Sequence, residues 1–375
     1  MIDRRTLLTG MIAASASASA TQAAPAGDML IVNALGGFSD PNIPRGQGAV
    51  PTETRALLSD RVVADARASG MDAINITLGH VSGNGDPFAA TVRDIGIWER
   101  RIRARPADLT KVLSAGDVLR ARGAGKIGVI YGFQNTTMLG ADAARVDVFA
   151  DLGVRVIQLT YNPANAVGSG SMAPDNGGLS AFGREVIARL NANRVMVDLS
   201  HSGERTCLEA AQASAQPISI NHTGCRSLTD LPRNKTDAEL RLVASRGGFV
   251  GIYFMPFLDP NSVASAADVV AHIEHAITIC GEDHVGIGTD GGTTAVDDMA
   301  AYRAAIRQEI AERAAAGIGA RGENPGTLPF VEDLSGPGQY RKLITLLEQR
   351  GHKAARIEKI MGGNFVRYAR DVWGA

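Results

Sequence analysis

Two histidines that follow consecutive apolar runs are the residues of this 375-residue chain best suited to chemistry. His201 ends the stretch VMVDLSH, His222 ends ISINH, and Asp290 follows a later apolar run in GIGTDGG. Neutral imidazole is a common ligand of zinc and similar metals. One such histidine would be explained as a hydrogen-bonding cap on a strand. Two of them on neighbouring strands, together with an aspartate, predict a metal site.

Asp290 is predicted to move a proton in that site. A carboxylate beside a bound metal can accept a proton from the activated water and pass it to a leaving amine. The alternative is a structural aspartate that caps the following glycine-rich turn. The two histidines near it favour the catalytic role.

Eight short apolar or β-branched runs without polar alternation are spread along the chain, and most are followed by a segment with helical spacing. Such runs are typical of parallel strands buried on both faces. Eight strand–helix units predict a closed (β/α)8 barrel of the TIM type, and two later helical segments, 299–317 and 338–351, predict extra C-terminal helices. The runs cover residues 29–34, 72–77, 127–132, 154–160, 195–200, 217–221, 248–253 and 284–289.

The C-terminal ends of the strands carry the active site in this architecture. His80 is more simply explained as a surface-loop residue than as a metal ligand, and His272 and His275 are expected on the outer face of a barrel helix. The strand-end candidates are Leu35, Gly37, His80, Gln134, Tyr161, His201, His222 and Asp290.

Composition argues against several classes of partner. The formal net charge is -1, with 38 basic and 39 acidic residues, so nucleic acid and acidic membrane surfaces are not expected partners. No segment after the N-terminus approaches the roughly 20 apolar residues of a membrane span. The three cysteines form no close pair and are interpreted as structural. A small molecule is therefore the expected partner, and the oligomeric state, a homodimer included, is left open.

Residues 1–23 are predicted to be an export signal. They combine Arg4 and Arg5 with a short apolar run and small residues suited to cleavage. The adjacent arginines favour a twin-arginine signal over an ordinary secretory one. Residues 28–375 are predicted to form a single metallohydrolase domain that is periplasmic or secreted.

Several separated blocks resemble the membrane dipeptidase (renal dipeptidase) family of zinc metallopeptidases, in the family's order. This resemblance implies a (β/α)8 barrel of the amidohydrolase type that hydrolyses dipeptides. It also implies that His201 and His222 hold the second metal, that Asp290 is the acid/base, and that Arg233 binds the substrate carboxylate. The blocks are GLSAFGREVIARLNANRVMVDLSHSGERT, PISINHTGCRSL, LPRN, GGFVGI, DHVGIGTD and IMGGNFVRY.

The chain departs from the family pattern in one half of the site. Leu35 and Gly37 stand where the family has the His-x-Asp of the first metal, and Gln134 replaces a bridging glutamate. Leucine and glycine cannot coordinate, and a neutral amide bridges two dications poorly. We therefore expect one zinc ion rather than two, with Gln134 contacting substrate. Tyr161 replaces a substrate-polarising histidine, either as a hydrogen-bond donor to an oxyanion or as an aromatic wall.

The leading function is a metal-dependent hydrolase of dipeptides or similar small amides. One alternative is a pseudoenzyme that binds a small carboxylate-bearing ligand, and another is an amidohydrolase that acts on a non-peptide substrate. The retained pair His201 and His222, with Asp290, favours an enzyme, whereas the loss of a glutamate at Gln134 argues against one.

Overall fold

The apolar runs of the sequence form parallel strands that wind around one barrel. The computed structural model describes residues 29–43, 57–81, 85–315 and 321–374, so the predicted export signal lies outside the described residues. The strands are β1 (Val32–Gly36), β2 (Ala73–Thr77), β3 (Leu109–Lys111), β4 (Ile127–Phe133), β5 (Val154–Gln158), β6 (Met196–Asp198), β7 (Ser219–Thr223), β8 (Phe249–Ile252) and β9 (Val285–Ile287).

The strand order around the barrel is β1-β2-β4-β5-β6-β7-β8-β9, and these neighbouring strands pair in parallel. Each of these strands overlaps one of the predicted runs, which confirms the (β/α)8 barrel. The extra strand β3 is outside the ring because it pairs with Ile127–Val129, the first half of β4, while β5 pairs with the second half. Its three residues, LTK, are too short to give a periodic signal.

Hydrogen bonds between β1 and the segment after β9 close the barrel. The amide of Asp290 donates to the Leu35 carbonyl at 2.9 Å, and the amide of Gly37 donates to the Gly291 carbonyl at 3.1 Å. The buried side chain of Asn33 bridges the same seam, since its Oδ1 accepts from the Thr289 amide at 2.8 Å. This closure brings the glycine pair at the end of β1 next to Asp290.

Helices surround the strands. Thr236 and Glu239 form a capping box at the start of the helix Asp237–Ser245, in the pattern T-x-x-E. A short π-helical segment, Lys359–Gly363, joins the last two helices. The helices are α1 (Asp60–Ala68), α2 (Pro87–Ala104), α3 (Ala115–Gly123), α4 (Arg145–Asp151), α5 (Ala181–Ala192), α6 (Glu204–Ala213), α7 (Asp237–Ser245), α8 (Ala266–Cys280), α9 (Met299–Ala315), α10 (Gln339–Gln349), α11 (Ala354–Glu358) and α12 (Asn364–Trp373).

The last helix, α12, closes the N-terminal end of the barrel. Phe365 packs edge-on against Phe249, the first residue of β8, with ring centroids 5.4 Å apart. Trp373 Nε1 donates to the carbonyl of Arg155 near the start of β5 at 3.1 Å. The opposite end, where the strands terminate, therefore remains open for a site.

One helix prediction is wrong. His272 was expected on the outer face of its helix, but it is 1% exposed. Its Nδ1 accepts from the Cys225 amide at 2.8 Å and its Nε2 donates to the Leu258 carbonyl at 3.0 Å. A histidine can be buried when both ring nitrogens are hydrogen-bonded. His275 is only partly buried and bonds Asp237 at 2.8 Å.

None of the helices in the described part of the chain is long and apolar enough to cross a membrane.

Candidate active site

The two predicted metal ligands meet at the C-terminal end of the barrel. His201 follows β6 and His222 lies near the end of β7. Their Nε2 atoms are 3.0 Å apart, and both side chains are buried. Parallel neighbouring strands end at the same edge of a sheet, which is why two positions 21 residues apart come together.

Two neighbours fix the orientation of His201. Its Nδ1–H donates to Asn162 Oδ1 at 2.7 Å, and the ring of Tyr161 stacks on it with centroids 4.3 Å apart. With the proton on Nδ1, the Nε2 lone pair faces the centre of the site. Sequence reasoning missed Asn162, although its position directly after Tyr161 at the end of β5 was a usable signal.

His222 is held through its backbone. Its amide donates to Ser200 Oγ at 3.0 Å, and Ser200 Oγ donates to the buried carboxylate of Asp198 at 2.5 Å. Asp198 also accepts from the Asn221 amide at 3.0 Å, so it ties β6 to β7. The Nδ1 of His222 is buried and has no hydrogen-bond partner among the described residues.

Both imidazoles are neutral at neutral pH. Burial lowers the pKa of His201 well below its usual value, and the nearby Arg233 guanidinium lowers it further. Burial and Arg233 lower the pKa of His222 in the same way. Neutral imidazoles have the free lone pair that a metal requires.

Asp290 completes the centre of the site. Its Oδ2 lies 3.9 Å from His222 Nε2, and its backbone is in the left-handed region with φ 57°. Burial raises the pKa of Asp290 to about 6; Arg233 opposes this shift and Asp198 adds to it. A pKa near neutrality suits a group that both accepts and donates a proton.

Tyr161 lies beside these groups as a hydrogen-bond donor. Burial raises the pKa of its phenol, and the carboxylate of Asp290 raises it further. The phenol therefore keeps its proton at neutral pH. The phenol ring also lines the cavity in front of His201.

Arg233 reaches the same cavity from the loop after β7. It is 6% exposed, and its Nη1 donates to the Ser200 carbonyl at 2.5 Å. Its Nη2 is buried and has no partner among the described residues. A buried guanidinium that is only partly paired is suited to bind a carboxylate, with which it forms two parallel bonds.

A cavity of about 250 Å³ is lined by Tyr161, His201, Arg233 and Asp290. We call it the histidine cavity. The rest of its lining combines apolar side chains with two carboxylates. These residues include Met255, Phe257, Ile306, Ile310, Glu309 and Glu323.

The other sequence candidates lie outside the histidine cavity. Gln134 follows β4, and its Nε2 donates to Thr77 Oγ1 at 2.6 Å. Leu35 is 2% exposed. Gly37 borders open space, since a Cβ placed there meets no atom within 4 Å. His80 is partly buried, and its backbone amide donates to Thr91 Oγ1 at 3.1 Å.

The histidine pair fits part of the coordination of one metal ion. The separation of 3.0 Å between the Nε2 atoms is compatible with two bonds of about 2.0–2.1 Å to a shared zinc. The bond from His201 to Asn162 is the outer contact that typically orients a metal-binding histidine. Among the described residues, no three His, Cys, Asp or Glu side chains form a metal-binding group. The described residues thus bring two histidine ligands together without a third such side chain grouped with them.

Histidines and an aspartate at the C-terminal end of a (β/α)8 barrel are an arrangement suited to a metal-dependent hydrolase. The chain belongs to the membrane dipeptidase family (peptidase family M19), which it matches over residues 60–318. At the level of the family, the function is metal-dependent hydrolysis of dipeptides, typically with zinc.

The chain is also similar to individual proteins of known sequence or structure. The crystal structure of an amidohydrolase from Pseudomonas aeruginosa is 32% identical, with a TM-score of 0.76 over 93% of this chain and 98% of that one. An uncharacterized Klebsiella pneumoniae protein from the pqqA 5′ region is 27% identical over 77% of this chain and 98% of its own length. Dipeptidase tcpJ of Claviceps purpurea is 28% identical over 75% of this chain, which spans 60% of that protein.

Proposed function

We propose that this protein hydrolyses the amide bond of a dipeptide, or of a similar small carboxylate-bearing amide, with one zinc ion held by His201 and His222. The observation that carries the proposal is the approach of the two Nε2 atoms to 3.0 Å close to Asp290, next to a cavity lined by His201, Asp290 and Arg233. The match to the dipeptidase family supports the substrate class.

Arg233 binds the C-terminal carboxylate of the substrate in this proposal. Its unpaired Nη2 and its position in the cavity wall allow a charge-assisted bond, which is about twice as strong as a neutral one. The bond from Nη1 to Ser200 fixes the guanidinium before the substrate arrives.

Asp290 transfers the proton. A bound zinc would supply Lewis acidity and lower the pKa of a water molecule. Asp290 accepts a proton from the attacking water while the new C–O bond forms, and it then donates this proton to the amine as the C–N bond breaks. Its pKa of about 6 allows both steps at neutral pH.

Tyr161 stabilises the developing oxyanion. Its protonated phenol lines the histidine cavity, and stacking on His201 restricts the motion of its ring. A fixed donor of this kind acts without the reorganisation that water would need. Gln134, at the neighbouring end of β4, is a proposed contact for the substrate rather than a bridge between metals.

Metal content and hydrolysis test this proposal together. The protein, purified without chelators, is expected to contain close to one zinc per chain and to hydrolyse members of a panel of L,L and L,D dipeptides. His201→Ala and His222→Ala should each lose the zinc and the activity, whereas His80→Ala should keep both. Activity that survives complete removal of metal would contradict the proposal.

A binding protein without catalysis is the second candidate. It is favoured by the absence of a third His, Cys, Asp or Glu side chain grouped with the histidine pair in the described residues. In that case dipeptides should bind in calorimetry in an Arg233-dependent manner, and no product should form in the presence of added zinc.

We also propose that residues 1–23 direct export and that residues 28–375 form the mature domain. The motif Arg4–Arg5 and the small residues after it support this proposal. The mass of the protein recovered from the periplasm tests it, since the mature form should lack the leader. Replacing both arginines with lysine should retain a twin-arginine substrate in the cytoplasm.

A further inference from the structure

A second cavity opens on the strand-one side of Asp290. Its volume is about 360 Å³, and its walls come from the glycine pair at the end of β1, the end of β2, one face of α2 and the residues after β9. We call it the strand-one cavity. Of the described residues that line it, only Asp290 also lines the histidine cavity. The two cavities therefore flank the proposed proton carrier.

Helix α2 presents a stripe of functional side chains to the strand-one cavity. Asp94, Trp98 and Arg101 all line it, and their spacing of four and three residues places them on one helix face. The guanidinium of Arg101 lies over the ring of Trp98, with its carbon 4.7 Å from the centroid. This stacking orients the guanidinium. Asp94 Oδ2 accepts from the Gly79 amide at 2.8 Å, so the carboxylate is tied to the backbone.

This cavity does not fit a metal ion. The chain positions that carry the first-metal ligands in the family pattern are Leu35, which is buried, and Gly37, which has no side chain. The positive charge in the cavity is instead the guanidinium of Arg101, with the carboxylates of Asp94 and Asp290 around it. A ligand that carries both a positive and a negative charge complements this guanidinium and these two carboxylates better than a metal cation does.

The position of the cavity indicates which part of a dipeptide would enter it. If Arg233 holds the carboxylate and Asp290 lies at the cleaved bond, the amino-terminal residue lies beyond Asp290, away from Arg233. A smaller cavity of about 180 Å³ also reaches Asp290, but no other charged side chain among the described residues lines it. The strand-one cavity is therefore the one whose charged side chains can distinguish between amino-terminal residues of different charge.

We propose that the strand-one cavity receives the amino-terminal residue of the dipeptide and that Arg101 selects an acidic side chain there. The proposal rests on the proposed function, because Arg233 and Asp290 set the direction of the substrate. The amino group of such a residue lies near Asp94 and Asp290, and its side-chain carboxylate meets the guanidinium. The five N–H donors of arginine allow this contact alongside others.

A pair of isosteric dipeptides tests this selection. We expect the zinc-loaded protein to favour Glu-Ala over Gln-Ala by about tenfold in kcat/KM, the size of one hydrogen bond to a charged group. Arg101→Gln should reduce this ratio to about one, and Arg101→Lys should keep part of it because the charge remains. Arg103→Gln is the matched control, since Arg103 is exposed on the same helix and should leave the ratio unchanged.

Calorimetric binding of the same two dipeptides separates this inference from the proposed function. If neither dipeptide is cleaved, the hydrolase proposal fails, but a tenfold preference in binding that disappears in Arg101→Gln still supports the role of Arg101. Equal binding of Glu-Ala and Gln-Ala by the unmodified protein would overturn it. So would a preference that persists in Arg101→Gln with the fold intact by circular dichroism.

Discussion

Asp290 is the residue on which the geometry of the site converges. It borders the histidine cavity and the strand-one cavity, and its backbone closes the barrel through the bond to Leu35. A non-glycine residue in the left-handed region is uncommon and costs about 1 kcal/mol or more. The sequence places glycine at the next two positions but keeps a carboxylate here. The side chain is therefore the feature that outweighs the strain.

Asp290→Asn is expected to lower kcat by about 10²–10⁴-fold, because an amide cannot relay the proton. The zinc content should stay near that of the unmodified protein, as measured by elemental analysis. Asp175→Asn is the control, since Asp175 is exposed and outside the histidine cavity. A loss of zinc that parallels the loss of turnover would identify Asp290 as a metal ligand instead.

Arg233→Lys is expected to raise KM for a dipeptide by about tenfold or more, because the bidentate grip on the carboxylate is lost. The same substitution should change KM little for the C-terminal amide of that dipeptide, which has no carboxylate to hold. Arg226→Lys serves as the control, since this nearby arginine pairs with Glu204 at 3.3 Å. An equal rise for both substrates would show that Arg233 supports the fold of the loop rather than the carboxylate.

At the scale of elements, two adjacent glycines at the end of β1 differ in how much space surrounds them. A Cβ at Gly36 would lie 2.3 Å from Asn33 Nδ2 and 2.7 Å from the Gly291 carbonyl, whereas a Cβ at Gly37 would meet nothing within 4 Å. Asn33 is part of the seam that closes the barrel. A side chain can therefore be added at one glycine and not at its neighbour.

Gly36→Ala is expected to lower the free energy of unfolding by about 1–3 kcal/mol, the usual range for an overpacked site. Gly37→Ala should change it by less than about 0.5 kcal/mol, as for a surface substitution. Urea unfolding measures both values. Equal effects would mean that the seam adjusts to the new methyl group.

The joint substitution Leu35→His, Gly37→Asp and Gln134→Glu restores the family pattern and is expected to raise the zinc content from about one to about two per chain, because it supplies three ligands of the first site. Gly37 has the space for its carboxylate, whereas Leu35 is buried and its replacement will lower stability. Elemental analysis gives the answer. Two zinc ions in the unmodified protein, with none added by the change, would contradict the single-ion reading.

Local sequence patterns predicted the strands that bury apolar side chains. They did not predict features that depend on contacts between residues far apart in the sequence. The runs at β1, β2 and β4–β9 were recognisable because each is a short apolar or β-branched stretch without polar alternation. Strand β3 was too short to recognise. The histidine at position 272 was misplaced because its polar ring is satisfied by residues 14 and 47 positions away. The cavity that the stripe on α2 lines and the contact of Asn162 with His201 likewise exist only after the barrel has closed.

On the scale of the whole molecule, the helix that packs against the closed end of the barrel and the residues of the candidate site lie at opposite ends of the strands. The N-terminal end is filled by α12, whose Phe365, Tyr368 and Trp373 pack on the first residues of the strands. The C-terminal end contains His201, His222 and Asp290 around open cavities. This division is typical of (β/α)8 enzymes, in which the loops after the strands vary while the opposite end maintains the fold.

Phe365→Ala tests this division, because it removes a side chain that is 1% exposed at the closed end. The free energy of unfolding should fall by about 3–5 kcal/mol, the cost of a large-to-small change in a packed core. The kinetic constants of the folded fraction should stay the same, since the ring packs between Phe249 and Trp373 and Phe365 is not among the residues that line the histidine cavity. Arg370→Ala, an exposed position on the same helix, should change neither quantity. A fall in kcat without a loss of folded protein would show that packing at the closed end is transmitted along the strands to His201 and His222.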